Sequence, residues 1–501
     1  MIGTDWLERW ALYSPDVVAL KDDGTGRAFT YRQSHVLVNR LAQALRRDFG
    51  IRAGDRVAVL AMNELEYVFL FYALQKAGAI LVPVNYRLAP PEVGHVLRDC
   101  SPVLLIYQGQ FESTVAGIDR ACMPRATLRF EGQDSLVSRL YDTHAPAEEI
   151  RLEADFETPV MILYTSGTTG TPKGAIISHG MLFWNSVNTS LRLNITQADV
   201  TLIFAPFFHT GGWNVLTTPF LHRGGRLINM KKFDADRVLR LCESESVTVL
   251  FGVPTMMDML SRSPAFPDVN LSSLRYAIVG GEPMSLELIR LWQQRGVPIR
   301  QGYGLTEFGP NVFSLNEADA IRKIGSIGFP NFYVEARVVD DNDAEVAPET
   351  VGELVLRGPV CTPGYWNNQE ATASAIRNGW FHTGDLVRKD AEGYYYVVDR
   401  KKDMYISGAE NVYPAEIEHC LRSHPKVREV AVIGVPDEQW GEVGKAVIAL
   451  NPGAVATADE VRAFCSGRLA KFKIPKYVEF VDALPKSESG KILKRALRLQ
   501  R

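Results

Sequence analysis

Short apolar runs alternate with longer helical stretches between residues 56 and 281, and this alternation constrains the fold more than any other feature of the chain. "RVAVLAM" (56–62) reads as a buried strand, "ELEYVFLFYALQKAGA" (64–79) as a helix ending near Gly78, and "ILVPVN" (80–85) as the next strand. The unit recurs at "VLLIY" (103–107), "VMILYT" (160–165), "TLIFAPF" (201–207), "VTVLFGVP" (247–254) and "LRYAIVGG" (274–281). Strand and helix in alternation imply parallel sheets covered by helices. Ligands of such sheets sit on loops past the carboxyl ends of the strands. "YTSGTTG" (164–170), "FFHTGGW" (207–213) and "GGEP" (280–283) each begin where an apolar run stops, which marks them as the site loops.

After about residue 330 the rhythm changes. "YVEARVVDDNDAEVAPETVGELVLRG" (333–358) alternates apolar and polar residues around an acidic turn, as hairpins do. The charged knot "DRKKD" (399–403) then precedes a segment with its own strand–helix pattern and is the expected domain boundary. At 501 residues the chain exceeds what one core supports, so at least two domains are expected. The expected fold class is α/β: a large N-terminal domain (1–399) of helix-covered sheets plus a β-rich subdomain, and a small α+β C-terminal domain (403–501).

A formal net charge of -3 leaves no basic surplus to neutralise a phosphate backbone, which argues against a dedicated nucleic-acid binder. Six cysteines lie far apart with no C-x-x-C pair, so reduced thiols are expected rather than a zinc site or disulfide framework. The early acids of the N-terminus are unlike a signal core, and no run reaches the ~18 apolar residues of a membrane span. A cytoplasmic enzyme is expected.

Eight of the eleven residues of "YTSGTTGTPKG" (164–174) are glycine, serine or threonine. Gly167 and Gly170 let backbone N–H groups converge on an anion without obstruction by a Cβ. Thr165, Ser166, Thr168, Thr169 and Thr171 add hydroxyl donors, and Lys173 adds charge. The loop is expected to close over a polyphosphate. It is not a Walker loop: Pro172 takes the second glycine's place, and Gly174 stands where the magnesium-binding hydroxyl is required.

The same string is similar to the signature of the adenylate-forming superfamily of acyl- and aryl-CoA synthetases, peptide-synthetase adenylation domains and luciferases. Further stretches match in the family's order across nearly the whole chain: "FHTGG" (208–212), "GYGLTE" (302–307), "WFHTGDL" (380–386), "DRKKDMYISGAENVYPAEIE" (399–418) and "PKSESGKILKR" (485–495). The ordered set resembles the acyl-CoA synthetase branch, which is fatty-acid–CoA ligase-like. Such enzymes join a carboxylate to the α-phosphate of ATP, releasing pyrophosphate, and then pass the acyl group to a thiol. ATP, Mg2+ and coenzyme A are therefore the implied cofactors and co-substrates.

Glu307, an acid in a Gly-rich loop after a strand, suits a hard cation. The resemblance makes it the magnesium ligand and sets Thr306 beside the α-phosphate. It also places Tyr303 and Gly304 at the adenine, with Gly280 and Gly281 flattening the opposite side of the slot; Glu282 stands where a small residue is expected. Asp385 resembles the acceptor for both ribose hydroxyls, a task a carboxylate suits, and Arg400 its partner. Lys491 is implied to reach the substrate carboxylate and the α-phosphate, and residues 400–402 to form a hinge centred on Lys402. Rotation of a mobile C-terminal domain would then withdraw Lys491 and line a thiol channel through Gly408, where Ala409 replaces a common glycine.

Amino-acid-activating relatives carry an aspartate in the loop occupied here by "PFFHTGGW" (206–213), so free amino acids are disfavoured. His209 resembles a gate residue, and Trp213, Val253 and Met256 suggest an apolar acyl pocket. Medium- or long-chain fatty acids lead, since flexible methionines suit a chain, and aryl carboxylates of the benzoate or cinnamate type come second. A carrier protein is the alternative acceptor, and a non-catalytic nucleotide sensor is the competing class. The reading leaves room for a homodimer and for transient contact with a membrane surface, and it invokes no nucleic acid.

Overall fold

The computed structural model describes residues 4–142, 149–150, 154–165, 172–407, 410–466, 468–486 and 492–499, which form two compact units. The first runs to residue 336 and includes 356–381; the second comprises 337–355 and 382 onward.

The first unit confirms the parallel-sheet expectation. One sheet has the strand order Ala126–Arg129, Leu104–Tyr107, Arg56–Leu60, Ile80–Pro83, Pro159–Thr165 and Lys173–Ser178, parallel except for its last, antiparallel pair. In the other, Val18–Asp22, Arg226–Asn229, Val200–Ile203, Val249–Gly252, Tyr276–Val279 and Ile299–Tyr303 run parallel side by side. Leu65–Ala77 is the helix expected at 64–79; every residue in it is buried, and it packs against strands of both sheets. A helix apolar all round must lie inside the protein. Gly78 ends it in the left-handed region (φ 74°), and a Cβ there would come 3.0 Å from the Ala53 Cβ. Fully buried aliphatics such as Val57, Val59, Leu81 and Ile106 each contribute about 1.5–3 kcal/mol.

The second unit begins earlier than the expected boundary at Asp399. Trp380–Lys389 and Tyr395–Arg400 form an antiparallel ladder. The acidic turn of 340–343 closes as expected, with Asp340 donating its N–H to the Ala344 carbonyl at 2.9 Å. Beyond it lies a smaller sheet of Glu410–Val412, Tyr405–Ser407, Gly441–Leu450, Val427–Asp437 and Tyr477–Phe480, carrying helices Pro414–Arg422 and Ala458–Cys465. No described helix is long and apolar enough to cross a membrane.

Lys76, in the last turn of the buried helix, exposes none of its side chain. Its Nζ lies 2.6 Å from Asp5, the N-cap of helix Trp6–Tyr13, and donates to the Ile150 carbonyl at 3.1 Å. Removing Asp5 would leave the buried ammonium only the more distant carboxylate of Glu8, 3.8 Å away. Asp5→Ala is therefore expected to destabilise the first unit by about 3–5 kcal/mol. Adding Lys76→Met should recover part of that loss, and urea unfolding of the two variants checks both outcomes.

Candidate active site

In the first unit, the Gly/Thr-rich string joins two antiparallel strands, Pro159–Thr165 and Lys173–Ser178, and so lies in a hairpin rather than at a helix start. Thr165 pairs with Lys173 across its mouth. Ser166, Gly167, Thr168, Thr169, Gly170 and Thr171 lie outside the described residues.

Strand Ile299–Tyr303 leads through Gly304 into the single 3₁₀ turn Thr306–Phe308. The turn folds back so tightly that a Cβ on Gly304 would sit 1.7 Å from the Pro310 carbonyl oxygen. Glu307 is thereby presented, half-buried, beside a segment that sequence reasoning missed. Thr362 donates its N–H to the Glu307 carbonyl at 2.8 Å, and the Tyr365 hydroxyl donates to Glu307 Oε1 at 2.9 Å. The face of the Tyr365 ring lies 5.4 Å from Lys173 Nζ. Burial and the Glu307 charge raise the Tyr365 hydroxyl far above the usual phenol range, so it is a donor at working pH. The same two causes push the Cys361 thiol up to about 12. The available signal was "PGYW" (363–366), in which Gly364 holds φ 143° and a Cβ would strike Thr372 at 2.6 Å.

Tyr303 ends its strand half-buried, its ring edge-on to Phe313 at 5.8 Å. Gly280 follows Tyr276–Val279 with space for a Cβ only 3.4 Å from the Gly302 carbonyl. Gly281 is left-handed (φ 89°), facing Val253 Cγ1 at 3.6 Å, and Glu282 is exposed.

The loop after Val200–Ile203 carries half-buried His209, whose ring lies 4.6 Å from that of Phe208. Val253 and Met256 are partly buried at the start of the neighbouring helix Pro254–Ser261. Phe251 stands 3.5 Å from the Cβ position of Gly211 and 3.9 Å from that of Gly280, closing a cavity of only about 10 Å³ beneath it. Trp213, expected in the acyl pocket, belongs instead to the core. It has no exposed surface, stacks on Phe207 at 4.2 Å, and donates its indole N–H to the Phe207 carbonyl at 2.6 Å. It thus anchors the loop that bears His209.

In the second unit, backbone register sets Asp385 directly opposite Arg400. Asp385 is 3% exposed, and Arg400 Nε lies 2.6 Å from its Oδ1. The preceding Gly384 donates to Glu353 Oε1 at 3.1 Å, and Glu353 Oε2 lies 3.3 Å from Lys401 Nζ and 3.5 Å from His382 Nδ1, a support the sequence did not reveal. Asp399 accepts the N–H groups of Arg400 and Ala415, and burial raises its carboxyl above the usual range. Lys402 lies in the turn after this ladder, on the wall of a cavity of about 330 Å³. Gly408, Ala409 and Lys491 lie outside the described residues.

No cluster of three or more His, Cys, Asp or Glu side chains able to hold a metal occurs among the described residues. The lone carboxylate of Glu307 fits a magnesium ion that arrives on phosphate oxygens and keeps its waters, as nucleotide-bound magnesium does.

A unit that sets a Gly/Thr hairpin and a supported carboxylate at parallel strand ends, in a chain whose second unit pairs a buried aspartate with an exposed arginine, defines a nucleotide-binding ligase of the adenylate-forming class. Residues 7–366 match the family profile described as AMP-binding enzyme, and residues 416–491 that of the AMP-binding enzyme C-terminal domain. The chain is 41% identical over 494 residues to the feruloyl-CoA synthase of Amycolatopsis sp, covering 98% of each chain. It is 39% identical over 505 residues to the long-chain-fatty-acid–CoA ligase FadD13 of Mycobacterium tuberculosis, covering 100% of this chain and 99% of that one. The solved structure of ATP-bound MatB from Rhodopseudomonas palustris matches with a TM-score of 0.90 at 32% identity, covering 99% of this chain and 98% of that one. The chain belongs to the AMP-binding enzyme family, in the CoA-ligase branch of the adenylate-forming superfamily, and is an AMP-forming acid–thiol ligase.

Gly304→Ala should force the 304–310 loop to shift, at a cost of about 1–3 kcal/mol for overpacking. The displaced Glu307 turn is expected to raise the magnesium concentration required for activity, measured by titrating the metal at fixed nucleotide and accompanied by thermal unfolding.

Proposed function

We propose that this ligase activates a hydrophobic carboxylic acid as its acyl-AMP, releasing pyrophosphate, and then transfers the acyl group to coenzyme A. The observation that carries the reading is the Glu307 carboxylate held by Tyr365 at 2.9 Å, at a parallel strand end and in contact, through the same ring, with Lys173 of the Gly/Thr hairpin.

A free carboxylate resists attack because it is anionic and would have to expel oxide. Linking it to the α-phosphate makes a mixed anhydride with AMP as the leaving group. That step concentrates negative charge on the phosphates, and fixed cations and donors aimed at the developing charge lower its barrier. Lys173 and the threonines around it cradle the polyphosphate, and Thr306 lies beside the α-phosphate. Glu307 would hold Mg2+, which when bound offsets phosphate charge and aligns the oxygens for in-line displacement. Tyr303, Gly304, Gly281 and Glu282 border the adenine, and Asp385, held in place by Arg400, accepts from the ribose hydroxyls. Lys491 neutralises the carboxylate and α-phosphate during adenylation. The segment 400–402 turns about Lys402 to replace Lys491 with the channel at Gly408, through which the thiol enters.

For the acid itself, a medium- or long-chain fatty acid remains the first reading, supported by partly buried Met256 and Val253 near His209 and by the 39% identical fatty-acid ligase. The flat face of Phe251 between Gly211 and Gly280 favours an aryl carboxylate as the second reading, as does the 41% identical feruloyl-CoA synthase. A pyrophosphate-release screen over fatty acids, benzoates and cinnamates, with and without coenzyme A, decides between them. Release that is independent of any acid would overturn the ligase assignment for these substrates. Release without thioester formation would transfer the acceptor role to a carrier protein.

Lys491→Ala should lower acyl-AMP formation by about 10²–10³-fold while sparing thioester formation from supplied acyl-AMP. Lys402→Pro should do the reverse, because proline fixes φ at the turning point. Single-turnover assays of each half-reaction separate the two; equal loss in both halves would remove the roles assigned to these lysines.

A further inference from the structure

We propose that Tyr365 is a positioning residue that couples the metal-binding carboxylate to the phosphate hairpin, its hydroxyl orienting Glu307 and its ring seating Lys173. The inference rests on the reading of Glu307 as the magnesium ligand and extends it to a residue outside the ordered motifs that carry the family resemblance.

Three observations converge on Tyr365. Its backbone is built into the hairpin. Ile176 donates its N–H to the Gly364 carbonyl at 3.0 Å, Trp366 donates to the Gly174 carbonyl at 2.7 Å, and Tyr365 bridges antiparallel to Ala175 between them. The segment is also tied to the metal turn, since Thr362 donates its N–H to the Glu307 carbonyl at 2.8 Å while its hydroxyl donates to the Ile176 carbonyl at 2.7 Å. The side chain then contacts both charges, with the hydroxyl 2.9 Å from Glu307 Oε1 and the ring 5.4 Å from Lys173 Nζ. The last separation is within the ~6 Å at which a cation is attracted to a ring face.

The physical consequence follows from rotamer freedom. A half-buried glutamate on a one-turn helix has several carboxylate orientations, and a cation that meets only one protein carboxylate depends on which is populated. A neutral phenol donating to Oε1 selects one orientation without adding a positive charge that would compete with the metal. Because Phe retains the ring and loses only the hydroxyl, Tyr365→Phe isolates the contact to Glu307 from the contact to Lys173.

The test is a Mg2+ titration of acid-dependent ATP–pyrophosphate exchange, joined to calorimetric binding of Mn2+–ATP and of metal-free AMP without acid or coenzyme A. Losing one hydrogen bond to a carboxylate should raise the metal concentration for half-saturation by about tenfold in Tyr365→Phe. Exchange at saturating metal should stay near wild type. Mn2+–ATP binding should weaken by the same factor, and metal-free AMP binding should not change. Tyr365→Leu, which loses the hydroxyl and the ring together, should shift the metal dependence at least as far. It also carries the test if the Phe variant does not fold.

A half-saturation within about twofold of wild type in Tyr365→Phe overturns the proposal. So does a loss of exchange that added metal does not recover, or a Leu variant whose metal dependence matches wild type. Glu307→Gln serves as the reference. If it leaves metal dependence unchanged, the magnesium assignment fails; if it shifts metal dependence and Tyr365→Phe does not, only the tyrosine's role fails.

Discussion

Buried parallel strands must all leave their sheet at a common edge, and the backbone groups exposed there have no further strand to satisfy them. In this chain that edge is where Ile203, Gly252, Val279 and Tyr303 end their strands. Gly280 packs in ordinary contact with the Gly302 carbonyl, whereas Gly304 approaches the Pro310 carbonyl too closely for any side chain. Trp213 and Phe207, both fully buried, hold the turn that carries His209.

Two kinds of placement set the charges. In the second unit, register does it: Asp385 and Arg400 face each other across an antiparallel ladder, so the pair follows once the strands align. In the first unit, a return segment does it. Residues 361–366 run along the strand Lys173–Ser178 and deliver Tyr365 to Glu307, joining that strand to the carboxylate turn through backbone hydrogen bonds. Backbone docking is less sensitive to side-chain rotamers than an ion pair between two surface groups, which contributes only ~0–1 kcal/mol.

Much of the fold was legible in the sequence because its signals are local. Apolar runs of strand length gave strands at each expected place, with ends trimmed where a loop takes over: "TLIFAPF" stops being strand at Ile203, so Phe204 to Phe207 enter the site loop. The helix at 64–79 and its Gly78 terminator were readable from apolar content and a single glycine. Trp213 was not, because an apolar residue on a strand-end loop has the same local pattern whether it lines a pocket or plugs the core. Its neighbours Tyr67 and Phe71 come from a distant helix.

The amino-acid order alone determined the alternating architecture, the ordered motifs of the adenylate-forming superfamily and the chemical character of each candidate site residue, since periodicity, glycine spacing and ionisable groups are properties of neighbours along the chain. Tertiary structure alone decided which residues support those groups. Tyr365 stands 58 positions from Glu307 and Glu353 stands 31 from Gly384. Such contacts are set by strand docking and close packing, which depend on the whole folded core and leave no periodic trace in sequence.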